Sequence, residues 1–281
     1  MTLSAQPITH TLAVPGARLH YEVRGSGPLL LVIGSPMASA DFAPLADALA
    51  VDHTVVTYDP RGVADSPIDD PEQDSTPELR ADDVAALLDA LGADSADVFG
   101  SSGGAVTGLA LVARHPARVR MLVAHEPPLL ELLPDAAQQR ANTEDIVATF
   151  HADGLQAAWM KFMVSAGFDI TPPDGGPADK SGAPVPAEPT ARDLAEAARF
   201  FDHELRGTTR YVPDVAALTA GPSRVVIGIG AASANLLTYR TSTALCELLG
   251  TAPVEFPGDH GGFLGAPEGF ADTLRTVLAD S

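Results

Sequence analysis

A serine in a glycine-rich stretch constrains the fold of this 281-residue chain more than any other feature. Residues 100 to 104 read Gly-Ser-Ser-Gly-Gly, which fits the pattern Gly-x-Ser-x-Gly. An apolar, strand-like run (96 to 99) precedes them, and a helix-compatible run (105 to 114) follows. The flanking glycines would allow a tight strand-to-helix turn in which larger side chains collide. Only Ser102 is in register with both glycines, so we expect Ser102 at the tip of that turn.

The rest of the chain alternates strand-like and helix-like segments. Two segments of alternating apolar and polar residues, separated by Pro15-Gly16, predict an antiparallel hairpin. The predicted strands are 9–14, 19–23, 28–33, 54–58, a strand around Val98, 119–124, 224–229 and 253–256, and the helices are 42–49, 76–91, 105–114, 235–249 and 267–278. This alternation of strands and helices predicts an α/β fold with a mostly parallel eight-stranded sheet and helices on both faces.

The pattern changes after Pro127-Pro128. Residues 129–165 and 190–206 look helical, and the stretch between them is rich in Gly, Pro and Ala. We therefore predict a core domain formed by residues 1–127 and 223–281, with a helical cap, or lid, inserted at 128–222. Within the cap, we expect 167–189 to be flexible because it has no core-forming pattern.

The composition limits the classes of binding partner that the protein is expected to have. A net charge of −20, from 17 basic and 37 acidic residues, argues against nucleic acid and anionic membranes. The longest apolar run, 29–33, is strand-sized and too short to span a bilayer. Cys246 is the single cysteine, and the N-terminus shows no secretory pattern, so we expect a cytoplasmic protein. The expected partner is a small-molecule substrate, and the expected state is a monomer or homodimer.

A serine hydroxyl is a weak nucleophile and needs a base. His260 lies in a glycine-lined loop directly after the last predicted strand. Such loops leave the carboxyl edge of a parallel sheet, which is also the edge that carries the Ser102 turn. His260 is therefore the candidate base, and a solvated loop histidine is the alternative.

Four motifs together resemble one family. They are Val32-Ile33-Gly34-Ser35-Pro36, Tyr58-Asp59-Pro60-Arg61-Gly62 followed by Asp65-Ser66, the Ser102 turn, and the His260 loop. Over residues 9 to 279 the chain resembles α/β-hydrolase-fold proteins with a helical cap, in the haloperoxidase-like and epoxide-hydrolase-like branch. The resemblance does not specify a substrate, because this fold hosts esterases, lactonases, thioesterases, dehalogenases, lyases and inactive receptors.

The chain departs from this family at the acid that orients the histidine. In most relatives a carboxylate follows the strand that corresponds to 224–229, but here residues 230–235 read Gly-Ala-Ala-Ser-Ala-Asn. Glu126, at the end of the strand 119–124, lies where some haloalkane dehalogenases carry their acid. Asp259 is a competitor, although neighbouring side chains in an extended loop point apart. We predict that Glu126 orients His260, with a solvated glutamate as the alternative.

Two backbone N–H groups must stabilise the negative charge that develops during attack. We assign them to Gly103, after the nucleophile, and to Ser35, in the loop after the third strand; Pro36 has no N–H to offer. The predicted lining of the substrate pocket is Met37, His125, Trp159 and Phe162.

No metal-ligand spacing and no phosphate-binding loop are evident in the sequence, so we predict chemistry without a metal or cofactor. The sequence predicts a serine hydrolase that cleaves a small or medium apolar ester, lactone or thioester. Two alternatives remain open. One is a cyclase or lyase of secondary metabolism that uses His260 as an acid and base, and the other is a catalytically inactive small-molecule-binding protein.

Overall fold

A computed structural model of the protein describes residues 6–169 and 190–279. Eight strands in these residues form a single sheet: β1 (Ile8–Val14), β2 (Ala17–Gly25), β3 (Leu29–Ile33), β4 (Thr54–Tyr58), β5 (Ala96–Ser101), β6 (Val119–His125), β7 (Arg224–Gly230) and β8 (Val254–Phe256). Their order is β1-β2-β4-β3-β5-β6-β7-β8. Strand β2 runs antiparallel to β1 and β4, and every other pair is parallel. The predicted mostly parallel eight-stranded sheet is confirmed.

Eleven α-helices occur in the same ranges: α1 (Ala43–Leu49), α2 (Pro77–Ala90), α3 (Gly103–Arg114), α4 (Ala136–Asp153), α5 (Leu155–Ala166), α6 (Ala191–His203), α7 (Leu205–Thr209), α8 (Val215–Ala220), α9 (Leu237–Leu249), α10 (Gly262–Gly265) and α11 (Pro267–Ala279). The segment 190–206, predicted as one helix, is divided between α6 and α7. The break falls at Glu204, whose φ of −129° leaves the helical region.

Local signals explain where the helices begin and end. The hydroxyl of Thr76 accepts a hydrogen bond from the N–H of Leu79 at 3.2 Å, which caps the start of α2. Pro77 occupies the first helical position, where its missing N–H has no cost. Gly92 follows the helix with a φ of 65°, a conformation that glycine adopts without strain. The chain therefore turns back toward β5 and delivers residues 96–101 to the middle of the sheet.

The core lies on both faces of the sheet. Along β3, Leu31 and Ile33 pack into a cluster with α2 and α3, whereas Leu30 and Val32 pack on the other face with α1 and α11. This alternation follows from the two-residue period of a strand. Each such fully buried side chain contributes about 1.5–3 kcal/mol to folding. The sheet edge that carries the site is thus fixed by packing from both sides.

Helices α4 to α8 lie between β6 and β7 in the chain. Side chains from α4, α5 and α6 form a third hydrophobic cluster that includes Ile146, Ala158 and Phe201. The division into a core of 1–127 and 223–281 and a cap of 128–222 stays a prediction. Most of the segment predicted to be flexible, 167–189, lies outside the described residues, which resume at Thr190.

Candidate active site

Ser102 occupies the turn between β5 and α3. Its φ of 55° and ψ of −122° are unusual for a residue other than glycine. Its N–H donates a hydrogen bond to the carbonyl of His125, on the neighbouring strand β6, at 2.9 Å. Strained backbone of this kind concentrates at functional sites, where the surrounding structure holds it in place. The half-buried Ser102 side chain lines a cavity, while Ser101 is fully buried.

The flanking glycines are required by close packing. A Cβ added to Gly100 would lie 2.6 Å from the carbonyl oxygen of Gly104. A Cβ added to Gly104 would lie 2.7 Å from Cα of Gly34, and closer still to the carbonyl oxygen of Ile33. These obstacles are backbone atoms, which cannot rotate away. The pattern Gly-x-Ser-x-Gly therefore allows β3, β5 and α3 to meet closely beneath Ser102.

His260 lies in the loop between β8 and α10. Its side chain is 20% exposed, and it lines the same cavity as Ser102. The Nδ1 atom of His260 lies 2.6 Å from Oε2 of Glu126. This hydrogen bond leaves Nε2 as the ring nitrogen that is free to accept a proton.

Glu126 follows β6 directly and is fully buried. Its backbone has a φ of 51°, and its N–H donates to the carbonyl of Gly228 at 3.0 Å. The carboxylate accepts three hydrogen bonds: from the N–H of Gly230 to Oε1 at 2.8 Å, from the hydroxyl of Thr238 to Oε2 at 2.8 Å, and from His260. A buried charge needs such partners.

The electrostatics favour an ionised Glu126. Burial alone would raise the pKa of the Glu126 carboxyl, but the hydrogen bond from His260 and the positive charge of that ring when it is protonated outweigh it and lower the pKa to about 2. A carboxylate that is charged at neutral pH would stabilise a positive charge on the His260 ring.

The segment without a carboxylate, 230–235, has a role in the same network. Gly230 donates its N–H to Glu126, so the end of β7 supports the carboxylate instead of providing one. The competing acid, Asp259, is exposed, and its Oδ1 accepts the N–H of Gly261 at 2.9 Å. The observed histidine–carboxylate contact is therefore the one with Glu126.

Ser35 and Gly103 lie side by side at the same edge of the sheet. A Cβ added to Gly103 would lie 2.6 Å from the carbonyl oxygen of Ser35 and 3.2 Å from its Oγ. Gly103 is the first residue of α3, and the first N–H groups of a helix have no partner within the helix. Both residues line the cavity with Ser102 and His260. The assignment of Ser35 and Gly103 as the two backbone donors stays a prediction.

The cavity has a volume of about 280 Å³. Met37, Trp159 and Phe162 all line it, and the indole of Trp159 stacks on Phe200 with ring centroids 5.2 Å apart. Side chains from the predicted cap thus cover the serine and histidine, and most of the lining is apolar. Such a cavity suits a small, largely apolar ligand.

The structure differs from the sequence prediction at His125. This residue is fully buried and is not among the residues that line the cavity. Its ring packs against Phe99, Phe256 and Phe270, with centroids 6.1, 5.6 and 5.3 Å away. Burial lowers the pKa of His125 to about 3, against the opposing charge of Glu126. His125 is therefore a neutral core residue behind Glu126.

Sequence reasoning missed one ionisable residue of the cavity, Glu204. It lies between α6 and α7, is 1% exposed and lines the cavity with Ser102. Burial raises the pKa of its carboxyl, while the charges of Arg80 and Arg199 oppose that rise. The signal in the sequence was a lone glutamate in a helical segment, which is usually a solvated residue.

A cluster of possible metal ligands lies away from this cavity. His20, Asp59 and Asp65 place ligand atoms within 4.8 Å of one another. Both oxygens of Asp59 already accept hydrogen bonds, from the N–H and hydroxyl of Ser39 and from the N–H of Asp65. The Asp59 carboxylate therefore holds its surrounding loop in place through these hydrogen bonds.

Among the helices in the described ranges, none combines the length and apolar character that crossing a bilayer requires. A cytoplasmic location stays a prediction.

Comparison with known proteins identifies the family. The family model described as alpha/beta hydrolase fold matches residues 27–164. The chain is 36% identical over 275 residues, covering 95% of both chains, to the uncharacterized hydrolase YraK of Bacillus subtilis (strain 168). The chain belongs to the α/β-hydrolase-fold family, as its resemblance predicts, and it is a hydrolase of that fold; the haloperoxidase-like and epoxide-hydrolase-like branch stays a prediction.

Solved structures agree on the fold. A hydrolase from Pseudomonas aeruginosa PA01 has a TM-score of 0.69 and 24% identity, with 96% of this chain and 98% of that chain covered. The enol-lactonase from Burkholderia xenovorans LB400 has a TM-score of 0.63 and 18% identity, with 96% and 100% covered. At these identities the likeness shows the fold alone, and the particular reaction has to be argued from the site.

Proposed function

We propose that this protein is a serine hydrolase that cleaves a small or medium, largely apolar carboxylic ester, lactone or thioester through an acyl-enzyme on Ser102. The observation that carries the proposal is the 2.6 Å contact between His260 and the buried Glu126, made by a histidine that lines the same cavity as Ser102. A nucleophile, a base and a group that orients the base are the three parts that acyl transfer by serine requires.

The steps follow from the positions of these groups. Ser102 Oγ attacks the carbonyl carbon of the substrate, and His260 Nε2 takes the hydroxyl proton. Glu126 holds the Nδ1 proton and stabilises the imidazolium. The oxyanion accepts hydrogen bonds from the N–H groups of Ser35 and Gly103. His260 then protonates the leaving group, and water releases the acyl group from Ser102 by the same steps.

The substrate class follows from the cavity. A volume of about 280 Å³ lies near the lower end of the range for small-molecule sites. Its largely apolar wall, which includes Met37, Trp159 and Phe162, favours an acyl chain of modest length. We propose that the reaction needs no metal or cofactor.

The acyl-enzyme can be detected directly. After rapid mixing with p-nitrophenyl butyrate and acid quench, mass spectrometry should show a butyryl adduct on the peptide that contains Ser102. The Ser102→Ala protein should show no adduct, and its turnover should fall by about 10³-fold or more. Full turnover by Ser102→Ala would contradict the proposal.

A further inference from the structure

Glu204 is a buried glutamate that connects the junction of α6 and α7 to the loop after β3. It is 1% exposed, and its Oε1 accepts a hydrogen bond from the hydroxyl of Ser35, 169 positions away in the chain. Ser35 is one of the two residues to which we assign an oxyanion donor. The contact uses its side chain and does not involve its backbone N–H. Glu204 can therefore hold the Ser35 loop without competing for that donor.

Arg80, on α2, approaches the same oxygen of Glu204. Its Nη1 lies 3.6 Å from Oε1, and both side chains are buried. Nη2 of Arg80 donates to the hydroxyl of Thr208, on α7, at 2.8 Å, and Nη1 donates to the carbonyl of Ser75. Arg80 is thus fixed on several sides, and α2 is joined through it to α7.

The same arginine also reaches the residue that follows the nucleophile. Nε of Arg80 donates to Oγ1 of Thr107 at 3.0 Å. That hydroxyl in turn donates to the carbonyl oxygen of Gly103 at 3.1 Å. Thr107 is fully buried and lies one turn after Gly103 on α3. Through Thr107, Arg80 therefore supports the first turn of α3, where we assign the second oxyanion donor.

These contacts form one buried chain, which runs from Ser35 through Glu204, Arg80 and Thr107 to Gly103. Its two ends are neighbours, because a Cβ added to Gly103 would lie 3.0 Å from Cβ of Ser35. Buried polar networks rigidify the groups that they connect. An oxyanion site needs this rigidity, since its donors act only when they are already in position as the charge develops.

We propose that Glu204 and Arg80 are positioning residues, which hold Ser35 and Gly103 at the separation at which their two N–H groups can bind one oxyanion. This deepens the proposed function and rests on it. Neither residue has to touch the substrate. The role needs an acceptor at Oε1 of Glu204, which an ionised carboxylate and a neutral carboxyl both provide.

A thiono ester, in which sulfur replaces the carbonyl oxygen, tests the position of the donors, because sulfur is larger and accepts hydrogen bonds weakly. After division by the rates with hydroxide, wild-type kcat/KM should be about 10²-fold or more higher for p-nitrophenyl butyrate than for its thiono analogue. Glu204→Ala should lower this preference about tenfold or more. It should also lower kcat for the oxygen ester and leave KM within about twofold, as expected when only transition-state stabilisation is lost. The preference is a ratio within one protein, so the folded fraction cancels.

Three further variants separate positioning from general destabilisation. Glu204→Gln restores an acceptor oxygen and should recover most of the preference. Ser35→Ala keeps the backbone N–H but removes the hydroxyl, so it should act like Glu204→Ala, and the double variant should lose no more than either alone. The matched control is Asp83→Ala, which removes a buried carboxylate paired with Arg61 and away from the cavity; it should leave the preference unchanged. No preference in wild type, an unchanged preference in Glu204→Ala, or an equal loss in Asp83→Ala would overturn the proposal.

Nuclear magnetic resonance of the amide of Ser35 separates this proposal from the catalytic one. The order parameter should be about 0.85 in wild type, as for rigid backbone, and should fall toward about 0.6 in Glu204→Ala. It should recover in Glu204→Gln and stay high in Asp83→Ala. If wild type shows no Ser102-dependent hydrolysis but this pattern holds, the catalytic proposal fails and the positioning of Ser35 by Glu204 stands. An unchanged order parameter and chemical shift of the Ser35 amide in Glu204→Ala would overturn the positioning proposal, whether or not the wild type hydrolyses esters.

Discussion

The carboxylate of Glu126 lies 2.6 Å from Nδ1 of His260, although 134 positions separate the two residues in the chain. The sheet order brings them together, because β6, β7 and β8 are neighbours and end at the same edge. Thr238 and Gly230 fix the carboxylate from two further directions. A histidine held in this way has a defined tautomer and orientation, which a general base requires.

Replacing Glu126 with Gln should lower kcat by about 10² to 10⁴-fold, because the amide neither carries the charge that stabilises the imidazolium nor fixes the tautomer. The fold should remain, since Gln has nearly the same shape. Steady-state kinetics with p-nitrophenyl butyrate, together with circular dichroism, measures both.

Asp259→Asn is the matched control for that substitution. Asp259 is adjacent to His260 in sequence but exposed, with its carboxylate accepting the N–H of Gly261. Its replacement should leave kcat within about twofold of wild type, as surface substitutions usually do. The opposite pattern, a large loss in Asp259→Asn and none in Glu126→Gln, would exchange the roles of the two acids.

Glu126 should also stabilise the fold in a pH-dependent way. Its pKa is lowered from 4.5 to about 2 by its hydrogen bond and charge interactions, against the effect of burial. A carboxyl whose pKa is lower when folded stabilises the protein above its unfolded pKa, and that stability is lost as the pH falls through the folded pKa. The contribution is on the order of 3 kcal/mol.

Urea unfolding at a series of pH values measures this effect. The difference in unfolding free energy between wild type and Glu126→Gln should be largest above pH 4.5 and should shrink steadily toward pH 2. A difference that stays constant over this interval would show that Glu126 does not titrate with a lowered pKa.

Gly104→Ala should destabilise the protein by about 3 kcal/mol or more, because the new methyl group would press on backbone atoms of Ile33 and Gly34. Gly265→Ala is the control. It lies at the end of α10, and an added Cβ there meets nothing within 4 Å, so it should be neutral or slightly stabilising. Urea denaturation compares the two, and an equal effect of both would refute the packing argument for the turn.

The sheet was predictable because each strand is signalled by the pattern of residues within its own short stretch of sequence. The buried run of β3 reads as a continuous apolar strand, as expected for a central strand of a parallel sheet. The largely apolar runs of β5 and β6 are interrupted by Asp97 and Arg120. Thr76, Pro77 and Gly92 marked the ends of α2. The Ser102 turn was recognisable because two glycines at fixed spacing are a direct consequence of backbone crowding. The sequence signals for these features lie in residues that are close in sequence, even where the contacts that require them come from another strand.

Other features could not be predicted from the sequence, because they depend on contacts between segments that are far apart in the chain. His125 and Glu126 are adjacent, yet the ring of His125 packs among phenylalanines and stacks on His260 at 6.2 Å, whereas the carboxylate of Glu126 forms a hydrogen bond with His260. The positive φ of Glu126 has no sequence signature. Glu204 is brought to Ser35 across 169 positions by the packing of α6 and α7. Sequence periodicity places a residue on a helix but does not say which distant loop that helix covers.

The central claim is that Ser102 is an activated nucleophile, and labelling with a fluorophosphonate tests it most directly. Such probes react with serines whose proton is taken by a nearby base, and the modified peptide identifies which serine reacted. We expect stoichiometric labelling at Ser102 in wild type and in Ser101→Ala, strongly slowed labelling in Glu126→Gln, and none in Ser102→Ala or His260→Ala. Absence of labelling in the folded wild-type protein, or labelling at Ser101, would contradict the account.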